Sequence, residues 1–149
     1  KRGWSFTVVY LLRDRVDEAG NQQFGYHKPD YSPRLAAVYL HNLTTILADS
    51  DSLSQPGSLN YSVPEEPATV HDLLLQKSNG TFDLVVWGEQ LSGTNNVTVN
   101  LGRTCASIQV YDPTVGVTPV ETRQNVNSLT LPMSNHPLII AIPASGKQK

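Results

Sequence analysis

The segment Phe6-Thr-Val-Val-Tyr-Leu-Leu12 decides the fold expected for this chain. It is apolar almost throughout, which is typical of a strand buried on both faces in a parallel sheet. We therefore predict a first strand over residues 4–12. A charged loop over residues 13–33 and one helix follow it, and a lone strand–loop–helix unit cannot close a core of its own. We infer that the chain is the C-terminal piece of a larger protein.

The helix is predicted to begin at Ser32-Pro33 and to end near Asp49. Serine can accept a hydrogen bond from a free backbone N–H at a helix start, and proline at the first helical position removes no donor that the helix needs. Apolar side chains then recur at helical spacing on one face, at Leu35, Tyr39, Leu43 and Ile46. Residues 50–58, rich in Asp, Ser, Pro and Gly, are predicted to form a linker.

Beyond the linker the sequence pattern changes to short strands. Asn79-Gly80 is the clearest hairpin turn, because both residues tolerate positive φ and apolar runs flank them. Short strands with turns at regular spacing predict an antiparallel β-sandwich of about eight strands over residues 59–149. The fold class is therefore mainly β, a sandwich preceded by one β-strand–loop–α-helix unit. The predicted strands are Leu59–Val63, Thr69–Lys77, Thr81–Trp87, Asn96–Leu101, Ala106–Tyr111, Val120–Arg123, Ser128–Leu131 and Leu138–Ile142.

Composition and charge exclude several classes of function. The net charge of −2, with Lys and Arg scattered, argues against a nucleic-acid or anionic-membrane partner. No apolar run approaches the ~20 residues that span a bilayer. Cys105 is the single cysteine, which excludes an internal disulfide, and we expect a buried, inert thiol. The four histidines show no ligand spacing, so no metal or cofactor is expected.

Four glycosylation sequons give a slight preference for a secreted or periplasmic location, which the sequence otherwise leaves open. They begin at Asn42, Asn60, Asn79 and Asn96. Asn42 falls inside the predicted helix, where a glycan would be awkward. Because the chain begins with Lys1 rather than Met, we expect that this is not a native start.

Four segments in the first third of the chain carry a resemblance to a known family. They are Val9-Tyr-Leu-Leu-Arg-Asp14, Phe24-Gly-Tyr-His27, Asp30-Tyr-Ser-Pro-Arg-Leu-Ala-Ala37 and His41-Asn-Leu43. In this order they resemble the C-terminal end of retaining glycoside hydrolases of the large (β/α)8-barrel clan, clan A. The likeness is greatest to family 39 and its cellulase-like relatives, in which a β-sandwich follows the barrel. Residues 82–88 and 137–142 are similar to strands of that sandwich.

This resemblance implies a division of the chain and a function. Residues 1–49 would be the last strand and helix of the barrel, and residues 59–149 the accessory sandwich. The family's acid/base and nucleophile glutamates follow the fourth and seventh barrel strands, and neither segment is present. We therefore expect no catalytic residue here and a chain that is inert alone. Its expected partners are the remaining barrel portion, as a missing segment or a second chain, and a carbohydrate substrate.

Arg13, Asp14 and His27 are the candidate substrate-binding residues. Arg13 and Asp14 end the predicted first strand, at the side where barrel enzymes build their sites. By the resemblance they lie near the rim of the sugar pocket, as substrate contacts or as supports for the catalytic carboxylates. The alternative is an ion pair that pins the loop. His27, next to Tyr26, either stacks near the pocket or is a hydrogen-bonded loop histidine.

A free-standing carbohydrate-binding or adhesive β-sandwich module is the alternative function. In such a module the strand over residues 6–12 is hydrogen-bonded within this chain, whereas in a fragment its natural neighbours lie elsewhere. Sugar binding by a module favours exposed aromatic rings, and the candidates are Trp4, Trp87 and Tyr111. Trp87 ends a strongly apolar strand, which favours core packing for that residue.

Overall fold

The computed structural model describes residues 8, 11–17, 22–53 and 55–144. Within these ranges the protein is mainly β, with one helix and a five-stranded antiparallel sheet. The elements are α1 (Leu35–Ile46), β1 (Val70–Gln76), β2 (Phe82–Gly88), β3 (Asn95–Tyr111), β4 (Glu121–Met133) and β5 (Pro137–Ile142). Residues 4–7, 9 and 10 of the predicted first strand lie outside the described residues, so that strand stays a prediction. Trp4 lies outside them as well.

The strand order in the sheet is β1-β2-β5-β3-β4. The β1–β2 hairpin turns at Asn79-Gly80, as predicted, and Gly80 has a φ of 87°. The last strand inserts between the two hairpins, so that Ile140 lies opposite Leu84 of β2 and opposite Val110 of β3. All three side chains are fully buried or nearly so. The two hairpins therefore share one core, centred on β5.

The described residues form five strands rather than about eight, and two long strands account for most of the difference. The predicted strands 96–101 and 106–111 are continuous as β3, and the predicted strands 120–123 and 128–131 are continuous as β4. The predicted strand 59–63 pairs with β3 only through a bridge between Ser62 and Asn100. The breaks predicted within 96–111 and within 120–131 are therefore irregularities inside a strand and not turns between strands.

Gly102 and Asn125 are the positions at which β3 and β4 become irregular without ending. Both have positive φ, 67° and 53° respectively, and the pairing register shifts between Asn100 and Cys105. A β-bulge of this kind bends a strand and keeps its partner. A Cβ on residue 102 would also overlap the carbonyl oxygen of Asn60, so the close approach of residue 60 requires glycine there.

The sheet has a main core on one face and a smaller one on the other. Phe82, Leu84 and Val86 of β2 face the main core, which also includes Cys105, buried as predicted. Val85 of β2 and Ile139 of β5 face the opposite side, where Ile46 of α1 covers them. The two strands β2 and β5 are therefore buried on both faces because α1 packs on the sheet.

The start and end of α1 differ from the sequence prediction. The N-cap is Arg34 rather than Ser32, and Ser32 lies in the preceding turn, where its backbone N–H and hydroxyl donate to Asp30. The helix ends at Ile46 rather than near Asp49, whose carboxylate instead accepts from the backbone N–H and hydroxyl of Ser78. At both ends a side chain bonds to the backbone outside the helix.

Only the C-terminal half of α1 packs on the sheet. Ile46 is 8% exposed, and Leu43 and Leu47 pack beside it. At the other end of the helix, Leu35 is 66% exposed although it belongs to the predicted apolar face. Among the described residues, no helix has the length and apolar character needed to cross a membrane.

Gly102→Ala is expected to lower the free energy of unfolding by at least about 2 kcal/mol, because it combines a left-handed backbone with a backbone clash. Gly116→Ala is the matched control: nothing lies within 4 Å of a Cβ built there. We expect that control to change stability by less than about 0.5 kcal/mol. Chemical denaturation of both variants provides the measurement. Equal effects of the two substitutions would show that the close approach of residue 60 to Gly102 is not required.

Candidate functional site

The loop before α1 brings Arg13 and His27 side by side. The backbone N–H of His27 donates to the carbonyl oxygen of Leu12 at 3.0 Å, and the N–H of Asp14 donates to the carbonyl oxygen of His27 at 2.8 Å. These bonds form a parallel bridge between Arg13 and His27. Two of the three predicted binding residues, which are 14 positions apart in the sequence, are therefore adjacent in space.

Arg13 and His27 line an open cleft of about 470 Å³ together with Leu12 and Tyr31. The guanidinium carbon of Arg13 lies 4.6 Å from the centre of the Tyr31 ring, which is within the range of a cation–π contact. Tyr31 has a φ of 68° and is 71% exposed. The turn therefore exposes the Tyr31 ring to solvent, and the Arg13 guanidinium contacts one face of the ring.

A second open cleft, of about 400 Å³, adjoins the first at His27. Its other lining residues are Pro33, Ala37, Val38 and His41. The Nδ1 atom of His27 lies 3.3 Å from the carbonyl oxygen of Leu12. Because a carbonyl oxygen can only accept, this contact requires the proton on Nδ1 and leaves Nε2 as an acceptor in the neutral ring. His27 is thus both a hydrogen-bonded loop histidine and a wall shared by two clefts.

Asp14 does not line either cleft but holds the loop in place beneath them. Its side chain is buried, and its carboxylate accepts a hydrogen bond from the Arg34 guanidinium and another, at 2.7 Å, from the backbone N–H of Gly25. The Arg34 hydrogen bond lowers the pKa of Asp14, with the Gly25 N–H acting in the same sense and burial opposing both. A pinning ion pair, one of the two roles considered for this residue, therefore exists, and its partner is Arg34.

Gly25 lets the two arms of the loop approach closely. A Cβ on this residue would lie 2.6 Å from the backbone nitrogen of Asp14 and 2.6 Å from the carbonyl carbon of Arg13. Real Cβ atoms do not approach a backbone so closely, so the adjacency of Arg13 and His27 depends on glycine here. The buried pair and this glycine together fix the geometry of the cleft.

Sequence reasoning missed Tyr31 and Arg34. Arg34 does not belong to the predicted apolar face of the helix, and its partner Asp14 is 20 residues away in the chain. Tyr31 lies in the segment Lys28-Pro-Asp-Tyr-Ser-Pro33, which signals a turn but not the direction of its ring. The sequence signal for both is the turn before the helix, and its geometry depends on contacts distant in the chain.

The aromatic residues proposed for an independent sugar-binding surface have other surroundings. Trp87 and Tyr111 are half-buried and pack against the cluster that joins α1 to the sheet. The His71 and Trp87 rings also lie 5.5 Å apart. These two aromatic residues therefore contribute to the helix–sheet junction rather than to an open platform.

The chemistry of the cleft consists of a guanidinium, an imidazole and an aromatic ring. Among the described residues, no group of three His, Cys, Asp or Glu side chains is placed to hold a metal ion. No protein-family model matches this sequence, and no curated protein matches it significantly. Donors beside an exposed ring suit the hydroxyl groups and the C–H face of a sugar.

Asp14→Asn is expected to destabilise the protein at neutral pH and to have no such effect in acid. The folded-state pKa of Asp14 lies below the ordinary value of 3.8, so its stabilising contribution is present above that value and is lost as the pH falls through the folded-state pKa. Thermal melts of the protein and the variant over this range provide the measurement.

Asp17→Asn serves as the control for that experiment. Asp17 forms an exposed pair with Arg15, so its loss should change the melting temperature little at any pH. If the difference between the protein and Asp14→Asn persists unchanged below pH 3.8, the stabilisation does not come from the Asp14 carboxylate.

Proposed function

We propose that this chain is the C-terminal part of a retaining glycoside hydrolase and that it is inert alone. Residues 1–49 are the last strand and helix of a (β/α)8 barrel, residues 50–58 a linker, and residues 59–149 an accessory β-sandwich that braces the barrel. The observation that carries the proposal is a coincidence of two features. The cleft formed by Arg13, His27 and Tyr31 and a set of exposed apolar side chains lie on the same loop–helix unit.

The exposed apolar side chains support a covering partner for this unit. Large apolar side chains left exposed to water are candidates for a contact with another protein surface. The rest of the barrel is the occupant that the proposal requires, because it would cover the strand and the N-terminal half of α1 together. The exposed apolar residues concerned are Val8, Leu12, Leu35, Val38 and Leu40.

Polar contacts between α1 and the sheet support the bracing role. Lys77 Nζ donates to the carbonyl oxygen of Ile46 at 2.6 Å, and the side-chain amide of Asn42 donates to the carbonyl oxygen of Pro113 at 2.8 Å. The linker is attached as well, since the N–H of Gly57 donates to Gln76 Oε1 at 2.7 Å. Because both apolar and polar contacts hold the helix, the β domain would fix the orientation of the helix within the barrel.

The two-layer arrangement of a sandwich is part of the proposal. Strands β2 and β4 are not neighbours in the sheet, yet they contact each other, and residues of all five strands contribute to one core. The bends at Gly102 and Asn125 would let the long β3–β4 hairpin curl over β1, β2 and β5. Each long strand would then take part in both layers of the proposed sandwich.

Each cleft residue then has a role in sugar binding. Arg13 donates hydrogen bonds to substrate hydroxyls, the open face of Tyr31 stacks on a ring, and His27 accepts at Nε2. Asp14 is a positioning residue that holds the loop. Hydrolysis also needs two carboxyl groups ~5 to ~9.5 Å apart across the bond, and the remaining barrel portion supplies them.

The first experiment is an intact-mass measurement of the protein from its source, with glycosidase activity assayed on the same sample. We expect a species several times heavier than 16.3 kDa that cleaves an aryl glycoside. A single inactive, well-folded species of 16.3 kDa would contradict the proposal and would favour the free-standing carbohydrate-binding or adhesive module.

In the active species, Arg13→Ala and His27→Ala are expected to lower kcat/KM by about tenfold to a hundredfold, the range for losing a hydrogen bond of this kind. The melting temperature should not change. Arg123→Ala is the matched control, because Arg123 pairs with Glu121 on the surface of β4, away from the cleft. If the Arg13 and His27 variants keep the kcat/KM of the unmodified protein, neither residue contacts the substrate.

Leu35→Ala tests whether a partner covers α1. In the isolated chain it should cost less than about 0.5 kcal/mol because Leu35 is exposed, whereas Ile46→Ala should cost about 2–4 kcal/mol. In the heavier species Leu35→Ala should cost about 2 kcal/mol or more, since the barrel would bury the side chain. Denaturation of both forms gives the comparison. An equally small effect of Leu35→Ala in both forms would exclude burial of this face.

A further inference from the structure

A separate polar cavity lies at the opposite end of α1 from the clefts. It occupies about 330 Å³ between the last turn of the helix, around Thr45 and Ile46, and the face of the sheet. The turn between β1 and β2 contributes Asn79 and Thr81 to its walls. Ligand pockets in proteins span ~300–1,000 Å³, so this cavity has room for a ligand at the small end of that range.

Asp83 lines this cavity with an unsatisfied acceptor. The residue is 2% exposed, and its Oδ2 atom has no hydrogen-bond donor among the described residues. Lys77 Nζ forms an ion pair with Oδ2 at 3.5 Å, and it also donates a hydrogen bond at 2.6 Å to the carbonyl oxygen of Ile46, which leaves a third N–H of the ammonium for a ligand. A buried carboxylate whose nearest donor lies 3.5 Å away gains from a closer donor, and a ligand in the cavity would supply one.

Tyr111 and Gln109 supply a ring and a donor beside Asp83. The Tyr111 hydroxyl donates to Gln109 Oε1 at 2.9 Å, which engages the amide oxygen and makes the amide nitrogen the end that can donate to a ligand. Burial raises the pKa of Tyr111, and the charge of Asp83 acts in the same sense, so the hydroxyl keeps its proton at neutral pH. The cavity thus combines an acceptor, two donors and an aromatic surface.

The charges in the cavity select the class of ligand. Asp83 and Lys77 balance each other, so a cationic ligand would meet the ammonium of Lys77 and an anionic ligand would meet the carboxylate. Hydroxyl groups both donate and accept, and several adjacent hydroxyls can satisfy a donor and an acceptor that lie close together. A neutral ligand with several hydroxyls fits this pattern.

We propose that this cavity is a binding site for a neutral sugar unit, in which a sugar hydroxyl donates to the Asp83 carboxylate and others accept from Lys77 and Gln109. The Tyr111 ring provides the apolar contact for the C–H face of the ring. This site shares no residue with the Arg13–His27 clefts, and it does not depend on the glycoside hydrolase proposal.

The test is an NMR titration of this chain with D-glucose, D-galactose, D-xylose and myo-inositol as neutral probes. Glucuronate and glucosamine serve as anionic and cationic counterparts. At least one neutral probe should shift the amide signals of Thr81, Asp83 and Gln109, with a dissociation constant of about 1 mM. The charged counterparts should bind about tenfold more weakly. No shift with any neutral probe, or tighter binding of a charged one, would overturn the proposal.

Two variants separate a specific site from a general effect. Asp83→Asn keeps the volume of the side chain and removes the charged acceptor, and it should weaken binding about tenfold. Tyr111→Phe keeps the ring but releases Gln109, and it should weaken binding as well. Asp17→Asn, in the exposed pair with Arg15, should leave this affinity unchanged.

The same titration distinguishes the two sites. If the shifts appear at Arg13, His27 and Tyr31 instead, the clefts bind sugar and the cavity proposal fails. If they appear at Asp83 and disappear in Asp83→Asn, the cavity is a sugar site whatever the mass and activity of the protein from its source.

Discussion

The contact of Ile46 with Val85 and Ile139 is the interaction on which the rest of the structure depends. It covers the second face of β2 and β5, two central strands that carry apolar side chains on both sides. Without the helix these strands would expose that face to water, at a cost of roughly 25 cal/mol for each Å² of apolar surface. Around this contact, the hydrogen bonds of Lys77 and Asn42 fix how the helix lies on the sheet.

The position of the cleft follows from the helix through a short series of contacts. Arg34, at the start of α1, holds the buried carboxylate of Asp14, which in turn holds the backbone of Gly25. Arg13 and His27 meet across this point. In some proteins a charged pair with a buried member serves to specify one arrangement of the chain. The Asp14–Arg34 pair would accordingly set the geometry of the cleft, while the apolar core supplies the stability.

The elements that were predicted correctly are those that residues close together in the sequence specify. The helix and the hairpin at Asn79-Gly80 were predictable, because spacing and turn residues suffice to specify them. The fusion of strands across Gly102 was not, since a glycine in a strand looks the same whether it ends the strand or bends it. What decides is the approach of Asn60, more than 40 residues away in the chain. The Ser32 cap was also wrong: Ser32 donates to Asp30 in the turn before the helix, and the helix begins two residues later than predicted.

The candidate site was predicted in part. Arg13 and His27 were named as candidate substrate-binding residues and both line the cleft, while the sugar pocket that the resemblance implies stays a prediction. Asp14 was expected either there or in an ion pair, and the sequence alone could not identify Arg34 as its partner. Tyr31 was missed because its ring direction depends on a left-handed turn. The domain boundaries and the glycosidase activity stay predictions.

The buried amide of Asn42 has a consequence for how the protein matures. Asn60, Asn79 and Asn96 are exposed, but the Asn42 side chain is 9% exposed and donates to Pro113 from the very nitrogen that a glycan would occupy. In a compartment that attaches glycans during synthesis, modification of Asn42 and docking of the helix would exclude each other. Whichever came first would decide the outcome: early docking hides the acceptor, and early glycosylation leaves a helix that cannot close on its sheet.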